Sequence, residues 1–396
     1  MSNTQKKNVP ELRFPGFEGE YSLDIFGNLA TNKSDKFNPQ NENASIDIEL
    51  DCIEQNTGRL IKIYNSKEFS SQKNKFNPQN VLYGKLRPYL NKYYFTKKSG
   101  VCSSEIWVLK STEEDKLLNL FLYYFIQTKR YSDVASKSAG SKMPRADWGL
   151  IENIRVYFPE LCEQQKIGEF FSKLDRQIEL EEQKLELLQQ QKKGYMQKIF
   201  SQELRFKDEN GNDYPEWVVK LIGDIGKVAM NKRIYKHETS ANEEIPFYKI
   251  GNFGKKADTF ISREQFNEYK EKYPYPKKGD ILISASGSIG KTIEYKGEEA
   301  YYQDSNIVWL DHNEEVLNVF LKYFYILVKW NGVEGTTIKR LYNKNILNTK
   351  IDLPTISEQQ KIGDFFCYID NLIEIQEQKL EFLKRRKQSL LQKMFV

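Results

Sequence analysis

The sequence predicts an α/β (α+β) protein: two globular domains related by pseudo-twofold symmetry, separated by two long antiparallel coiled-coil helices. Three observations predict it. The chain repeats itself, over its longest match at an offset of 195 residues. Each repeat ends in a long proline-free run with heptad spacing. The segments between those runs alternate short β-rich stretches with turn residues.

The repeat comes first, because self-similarity constrains every later assignment. ELCEQQKIGEFFSKLDRQIELEEQKLELLQQQKKGYMQKIF (160–200) aligns without a gap on TISEQQKIGDFFCYIDNLIEIQEQKLEFLKRRKQSLLQKMF (355–395), an offset of 195. EQQKIG is identical in the two, followed by FF, a shared acid (Asp175, Asp370), EQKLE and QK[IM]F. The likeness extends backwards. Arg145 falls on Arg340, Gly140 on Gly335, and LLNLFLYYF (117–125) matches VLNVFLKYF (316–324). ELRF occurs at 11–14 and again at 203–206. The matches divide the chain into an N-terminal arm (1–20), a first globular segment (21–158), a first long helix (159–203), a second globular segment (204–353) and a second long helix (354–396). A constant frame with divergent inserts suggests one task performed twice with two specificities.

The long runs carry the helical pattern. One seam of the first is Ile167, Leu174, Leu188 and Tyr195, and the other is Phe171, Ile178, Leu185 and Ile199. The second copy gives Ile362, Ile369, Leu383, Leu390 and Phe366, Ile373, Leu380, Met394. Alternation of three and four residues is a coiled-coil stripe, and each stripe packs most simply against the other. A helix of about 38 residues would reach about 55 Å at ~1.5 Å per residue. The polar breaks coincide as well, Glu181 with Gln376 and Lys192 with Lys387. Polar seam positions cost stability but fix register.

The inserts read differently. VLYGKL (81–86), EIWVLK (105–110), DILISA (280–285) and NIVWLD (306–311) are strands bounded by turn residues, while 117–125 and 316–327 suit one helix in each copy.

Composition narrows the chemistry. Four scattered cysteines without a CxxC pair argue against a zinc site or a disulfide framework, and two histidines leave little for a histidine-built metal or catalytic centre. Mean hydropathy is −0.67, no apolar run approaches a membrane span, and the N-terminus lacks the apolar core of a signal peptide. A reducing cytoplasmic setting and no membrane partner are expected. The formal charge of +5 is mild, so a nucleic-acid surface would have to come from local clusters. KLRPYLNKYYF (85–95), NKRIYK (231–236), YKIGNFGKK (248–256) and TTIKRLYNK (336–344) interleave cations with aromatics, which suits phosphate and base contact together.

ASGSIGKT (285–292) fits a relaxed phosphate-loop pattern, [AG]-x-x-x-x-G-K-[ST]. Such a loop must open a helix, yet IEYKGEEAYY follows, and the first copy has YGKLRPYL at the corresponding place. A hairpin with Ser286, Ser288 and Lys291 exposed at its tip is the simpler expectation; a P-loop-type ATPase is the alternative. Two FNPQN stretches (37–41, 76–80) lack the second proline and the aromatic of an adenine-holding NPP[FY] motif, and no GxGxxG appears. No catalytic residue and no metal site is expected.

With the duplication, the proline-led LPTISEQQKIGDFF and FPELCEQQKIGEFF, and the PELRFPGF start on view, the chain resembles the specificity subunit of a type I restriction–modification system over essentially its full length. The resemblance implies that the inserts are target recognition domains, each reading one half of a bipartite double-stranded DNA sequence. It implies that the two helices hold them apart and dock two modification (methyltransferase) subunits, which are joined by restriction (motor–nuclease) subunits. S-adenosylmethionine, ATP and magnesium would then belong to those partners, with no cofactor in this chain. The partner-facing and seam residues would be Ile167, Phe171, Leu174, Ile178, Leu185, Leu188, Ile362, Phe366, Ile369, Ile373, Leu380 and Leu383. For DNA contact the first candidates are Arg145 and Arg340 with Lys142 and Lys339, since the same loop recurs before each long helix; a salt bridge is the competing role for them. Lys85, Arg87, Lys232, Arg233 and Lys291 follow. A coiled-coil scaffold without a DNA role is the remaining rival.

Overall fold

The computed structural model describes residues 8–38, 42, 44, 46–65, 71–137, 142–330 and 340–396. The chain divides into two compact units, one made of Met1–Gln183 with Gln378–Val396 and the other of Lys184–Glu377. Each long helix is shared between them. Leu161–Phe200 gives its first half to the first unit and its second half to the second, and Ile356–Met394 does the reverse.

In the first unit the two helix segments run antiparallel, with Lys379 paired to Glu181 (2.5 Å) and Lys387 to Asp175 (2.6 Å). In the second unit Lys192 pairs with Asp370 (2.5 Å), and Tyr195 meets Phe365 edge-on. The polar seam lysines thus find opposite charges on the other helix, the arrangement that fixes register. Each acid also accepts a phenol hydrogen from the globular part of its unit, Tyr124 to Asp175 (3.0 Å) and Tyr323 to Asp370 (2.8 Å). Burial, reinforced by the nearby carboxylate, pushes both phenols up, so they remain donors.

The globular parts share one plan. In the first unit an antiparallel sheet runs in the order Ala30–Thr31, Ile106–Ser111, Val81–Gly84, Tyr93–Phe95. In the second unit the order is Gly226–Ala229, Ile307–His312, Ile281–Ser284, Thr292–Glu294. The helices Asn119–Phe125 and Asn318–Leu327 pack their aromatic faces between these sheets and the long helices. A two-stranded ribbon closes each part, Ser22–Ile25 with Arg155–Phe158 and Val218–Leu221 with Lys350–Leu353.

The repeated motif is explained by these contacts, position by position. The fully buried Glu163 carboxylate accepts two hydrogen bonds from Arg13 (2.8 and 2.7 Å) and one from Tyr21; Glu358 accepts from Arg205 (3.2 and 2.8 Å) and from the Trp217 indole. ELRF recurs because its arginine satisfies the buried glutamate. Gln164 donates to the Lys116 and Pro159 carbonyls and accepts from the Leu118 amide, and Gln359 does the same at Glu315, Pro354 and Leu317. Ile167 and Ile362 are core residues. A Cβ on Gly168 would stand 2.7 Å from Leu120, and one on Gly363 2.5 Å from both Val319 methyls, so these glycines admit the crossing helix.

Seam burial departs from the strict heptad at the helix ends. Ile167, Phe171, Leu174, Ile362, Phe366, Ile369, Leu380 and Leu383 are buried, and Ile178, Leu185, Leu188 and Ile373 are half-buried. Tyr195, expected in the seam, is exposed, and Met196 is buried instead; Leu390 is half-buried while Leu391 is buried. An α-helix drifts about 20° per heptad against a 3.5 repeat. Four heptads after Ile167 or Ile362 the lag is about 80°, nearly one residue. In this row the buried position has therefore moved on by one, at the same place in both copies, while the other row keeps Ile199 and Met394 buried in register.

Candidate nucleic-acid interface

The phosphate-loop-like segment is a hairpin. Ile281, Leu282 and Ile283 pair with Glu294, Ile293 and Thr292, so the chain returns as a strand and opens no helix. The first copy makes the same hairpin, with Val81, Leu82 and Tyr83 opposite Phe95, Tyr94 and Tyr93. The turns share a left-handed residue, Gly287 (φ 66°) in the second and Arg87 (φ 52°) in the first. Ser286 is buried rather than exposed, its hydroxyl donating to Asn306 (2.7 Å). Ser288 is exposed, as is Lys291, whose amine donates to the Phe253 carbonyl (2.7 Å).

Each hairpin meets the segment bearing the aligned arginine. Leu86 bridges to Arg145 and Ser286 to Arg340. The backbone bonds repeat too: the Ala146 amide donates to the Lys85 carbonyl (2.8 Å), and the Leu341 amide to that of Ala285 (2.8 Å). The side chains differ. Arg145 makes a two-pronged pair with Glu105 (2.9 and 3.0 Å), which holds that carboxyl below its usual range. In the second unit the matching residue is Asn306, whose carbonyl accepts from Arg340 at 3.2 Å.

Thus Lys85, Arg87 and Arg145 converge on one corner of the first unit, with the Arg87 amide bonded to the Pro144 carbonyl (2.7 Å) and Lys142 exposed on the same loop. Arg340 and Lys291 lie on the hairpin corner of the second unit. Lys232 and Arg233 follow the Gly226–Ala229 strand; Lys232 stands over the Tyr273 ring, and Arg233 pairs with Asp304 (2.8 Å). Lys339 lies outside the described residues, as do Gly140 and Gly335. Sequence reasoning did not single out Glu105, Asn306 or Tyr342. Glu105 and Asn306 each stand immediately before one of the two matched strands, and that register was the available signal.

A second surface lies on the long helices. Tyr368, Ile375 and Phe382 are 62%, 62% and 60% exposed and follow one another at seven residues, so they share one face of the second long helix. Leu180 and Leu187, at the equivalent positions of the first helix, are also exposed. Apolar side chains in a heptad row outside the seam are what a further helix would cover.

The profile of the type I restriction modification DNA specificity domain matches this chain twice, over residues 20–190 and 214–385. The chain belongs to that family. A type I restriction enzyme specificity subunit of Haemophilus influenzae is 42% identical over 261 residues, covering 63% of this chain and 63% of that protein. The chain thus matches somewhat less than two thirds of that relative's length. The MjaVIII specificity subunit of Methanocaldococcus jannaschii is 27% identical over 321 residues, covering 75% of this chain and 74% of that one. Among solved structures, the type I S subunit from M. genitalium superposes with a TM-score of 0.57 at 17% identity, over 98% of this chain and 99% of that chain. A chain solved in work on complex assembly and conformational transition of the type I R-M system gives 0.59 at 17% identity, over 94% and 97%. At that identity the likeness concerns the fold. Each matched stretch runs through a globular part and ends within the long helix that follows it, at residue 190 and at residue 385.

Among the described residues no group of three or more His, Cys, Asp or Glu is placed to hold a metal ion, and no helix is long and apolar enough to cross a membrane.

Proposed function

We propose that this chain is the addressing subunit of a type I restriction–modification assembly, with each unit reading one half of a bipartite duplex. The observation that carries the reading is the doubled specificity domain, in which two copies of one frame bear different outward side chains. The antiparallel helices would set the distance between the half-sites, since one turn of DNA is about 34–36 Å and spacing is a geometric property of a two-headed reader. The exposed stripes on those helices suit two methyltransferase subunits, one at each copy, and restriction subunits would join through them. S-adenosylmethionine, ATP and magnesium are assigned to those partners, leaving this chain non-catalytic and its complex in the cytoplasm.

The test is co-expression of the full chain with a methyltransferase subunit, followed by mapping of methylated adenines by long-read sequencing. The reading predicts a two-part motif with a fixed gap. A contiguous motif, or methylation that does not depend on this chain, would contradict it.

A further inference from the structure

The two matched corners give their aligned arginines different electrostatic surroundings. In the first unit Arg145 is committed to Glu105, and the next residue but one, Asp147, is an exposed acid whose carboxylate caps the Gly149 amide (2.9 Å). In the second unit Asn306 replaces Glu105 and Tyr342 stands where Asp147 does. Among the described residues the side chain of Arg340 has one partner, the neutral Asn306 carbonyl, which it shares with Ser286. Beside it opens a cleft of about 450 Å³ lined by Arg340, Tyr342, Lys344, Met230 and Ser305. The acid next to Ser305, Asp304, is engaged by Arg233. Among the described residues the cleft therefore presents a guanidinium and an exposed aromatic ring, and no acid lines it.

We infer that this cleft of the second unit takes a phosphate of the DNA backbone, with Arg340 as its principal ligand, and that the aligned Arg145 of the first unit takes none. The inference rests on the addressing function proposed above. A guanidinium fork matches two phosphate oxygens, and the Tyr342 ring offers a flat apolar face to the adjoining sugar. At the first corner an incoming phosphate would compete with Glu105 for the same fork and would meet Asp147 as a like charge. Arg145 is there a positioning residue that joins the hairpin strand to the loop before the long helix. The repeat places an arginine at both positions, and one residue across from it, Glu or Asn, decides which arginine faces DNA.

The test uses the complete complex with its methyltransferase subunits and a fluorescent duplex bearing the mapped target, titrated with salt. Each phosphate contact contributes about 0.9 to the slope of log K against log salt. Arg340→Ala should lower the slope by about 0.9 and weaken binding at low salt. Asn306→Glu, which rebuilds the first unit's pair in the second, should do the same without removing the arginine. Arg145→Ala should leave the slope unchanged, and Glu105→Asn should raise it. The inference is overturned if Arg340→Ala and Asn306→Glu keep the wild-type slope, or if Arg145→Ala loses as much as Arg340→Ala. A wild-type complex that does not prefer the mapped duplex to a scrambled one of equal length would overturn the addressing function itself, and this inference with it. Failure of the inference alone shows as a complex that reads its target with an Arg340-independent slope.

Discussion

The first and second units are held to the long helices by the same contacts, yet they face outward with different chemistry. Arg13 and Arg205 answer the same buried glutamates, Gln164 and Gln359 hold the same three backbone groups, and Tyr124 and Tyr323 reach the same aspartates. At the hairpin corners, by contrast, Glu105 and Asn306 give two aligned arginines different partners. The most nearly identical part of the repeat is therefore structural. EQQKIG is a docking code between helix and globular part, and what distinguishes one half of the molecule from the other lies where the copies diverge.

The comparison is broken most forcefully at the buried glutamates. Glu163→Ala and Glu358→Ala each remove a buried carboxylate from a half-buried arginine, and each should destabilise the protein by about 2–3 kcal/mol through the lost charge-assisted hydrogen bonds. Chemical denaturation of the two variants should give losses of similar size; a large loss in one only would show that the frames are not equivalent. Next come the helix-crossing glycines. Alanine is favoured over glycine by about 1 kcal/mol inside a helix, but overpacking costs about 1–3 kcal/mol. Gly363→Ala meets two methyls of the stiff Val319 and should lose stability, while Gly168→Ala meets the more adaptable Leu120 and should lose less. Thermal melts of both variants check the order.

Smaller again is the effect of the seam lysines. Lys387→Ala and Lys192→Ala remove a hydrogen-bonded charge partner from Asp175 and Asp370, about 1.5 kcal/mol each. Lys387 is the more buried and also bonds Gln127, so its loss should be the larger in unfolding titrations. The smallest effect is confined to one unit. The hydrogen bond from Arg145 lowers the pKa of Glu105, so the pair's contribution is present above the ordinary value of 4.5 and fades as pH falls through the depressed one. Acid should therefore weaken the first corner below about pH 4.5 and spare the Arg340–Asn306 contact, which has no titrating acceptor. Unfolding curves of wild type and Glu105→Asn should converge as pH drops through that window.

Much of this was legible in the sequence because the repeat made every assignment twice. The four named strands, the two short aromatic helices and the hairpin in place of a phosphate loop follow from period-2 runs, turn residues and the mismatch between the copies. The sharing of each long helix between units was not legible, because heptads specify a seam but not which partner segment fills it. The shift from Tyr195 to Met196 needed the difference between 3.6 and 3.5 residues per turn, summed over four heptads. Ser286 looked like a tip residue and is buried, its hydroxyl satisfied by Asn306, 20 residues away and immediately before another strand. Pairings of that range, like Arg145 with Glu105, are set by topology and leave no local mark.

The account stands most directly on independence of the two reading halves. Residues 21–155 should be replaced by the matching insert of a related chain, with the long helices and 204–396 unchanged, and the methylated adenines mapped again in the complete complex. One half of the two-part motif should change, with the other half retained. Simultaneous change of both halves would contradict the account.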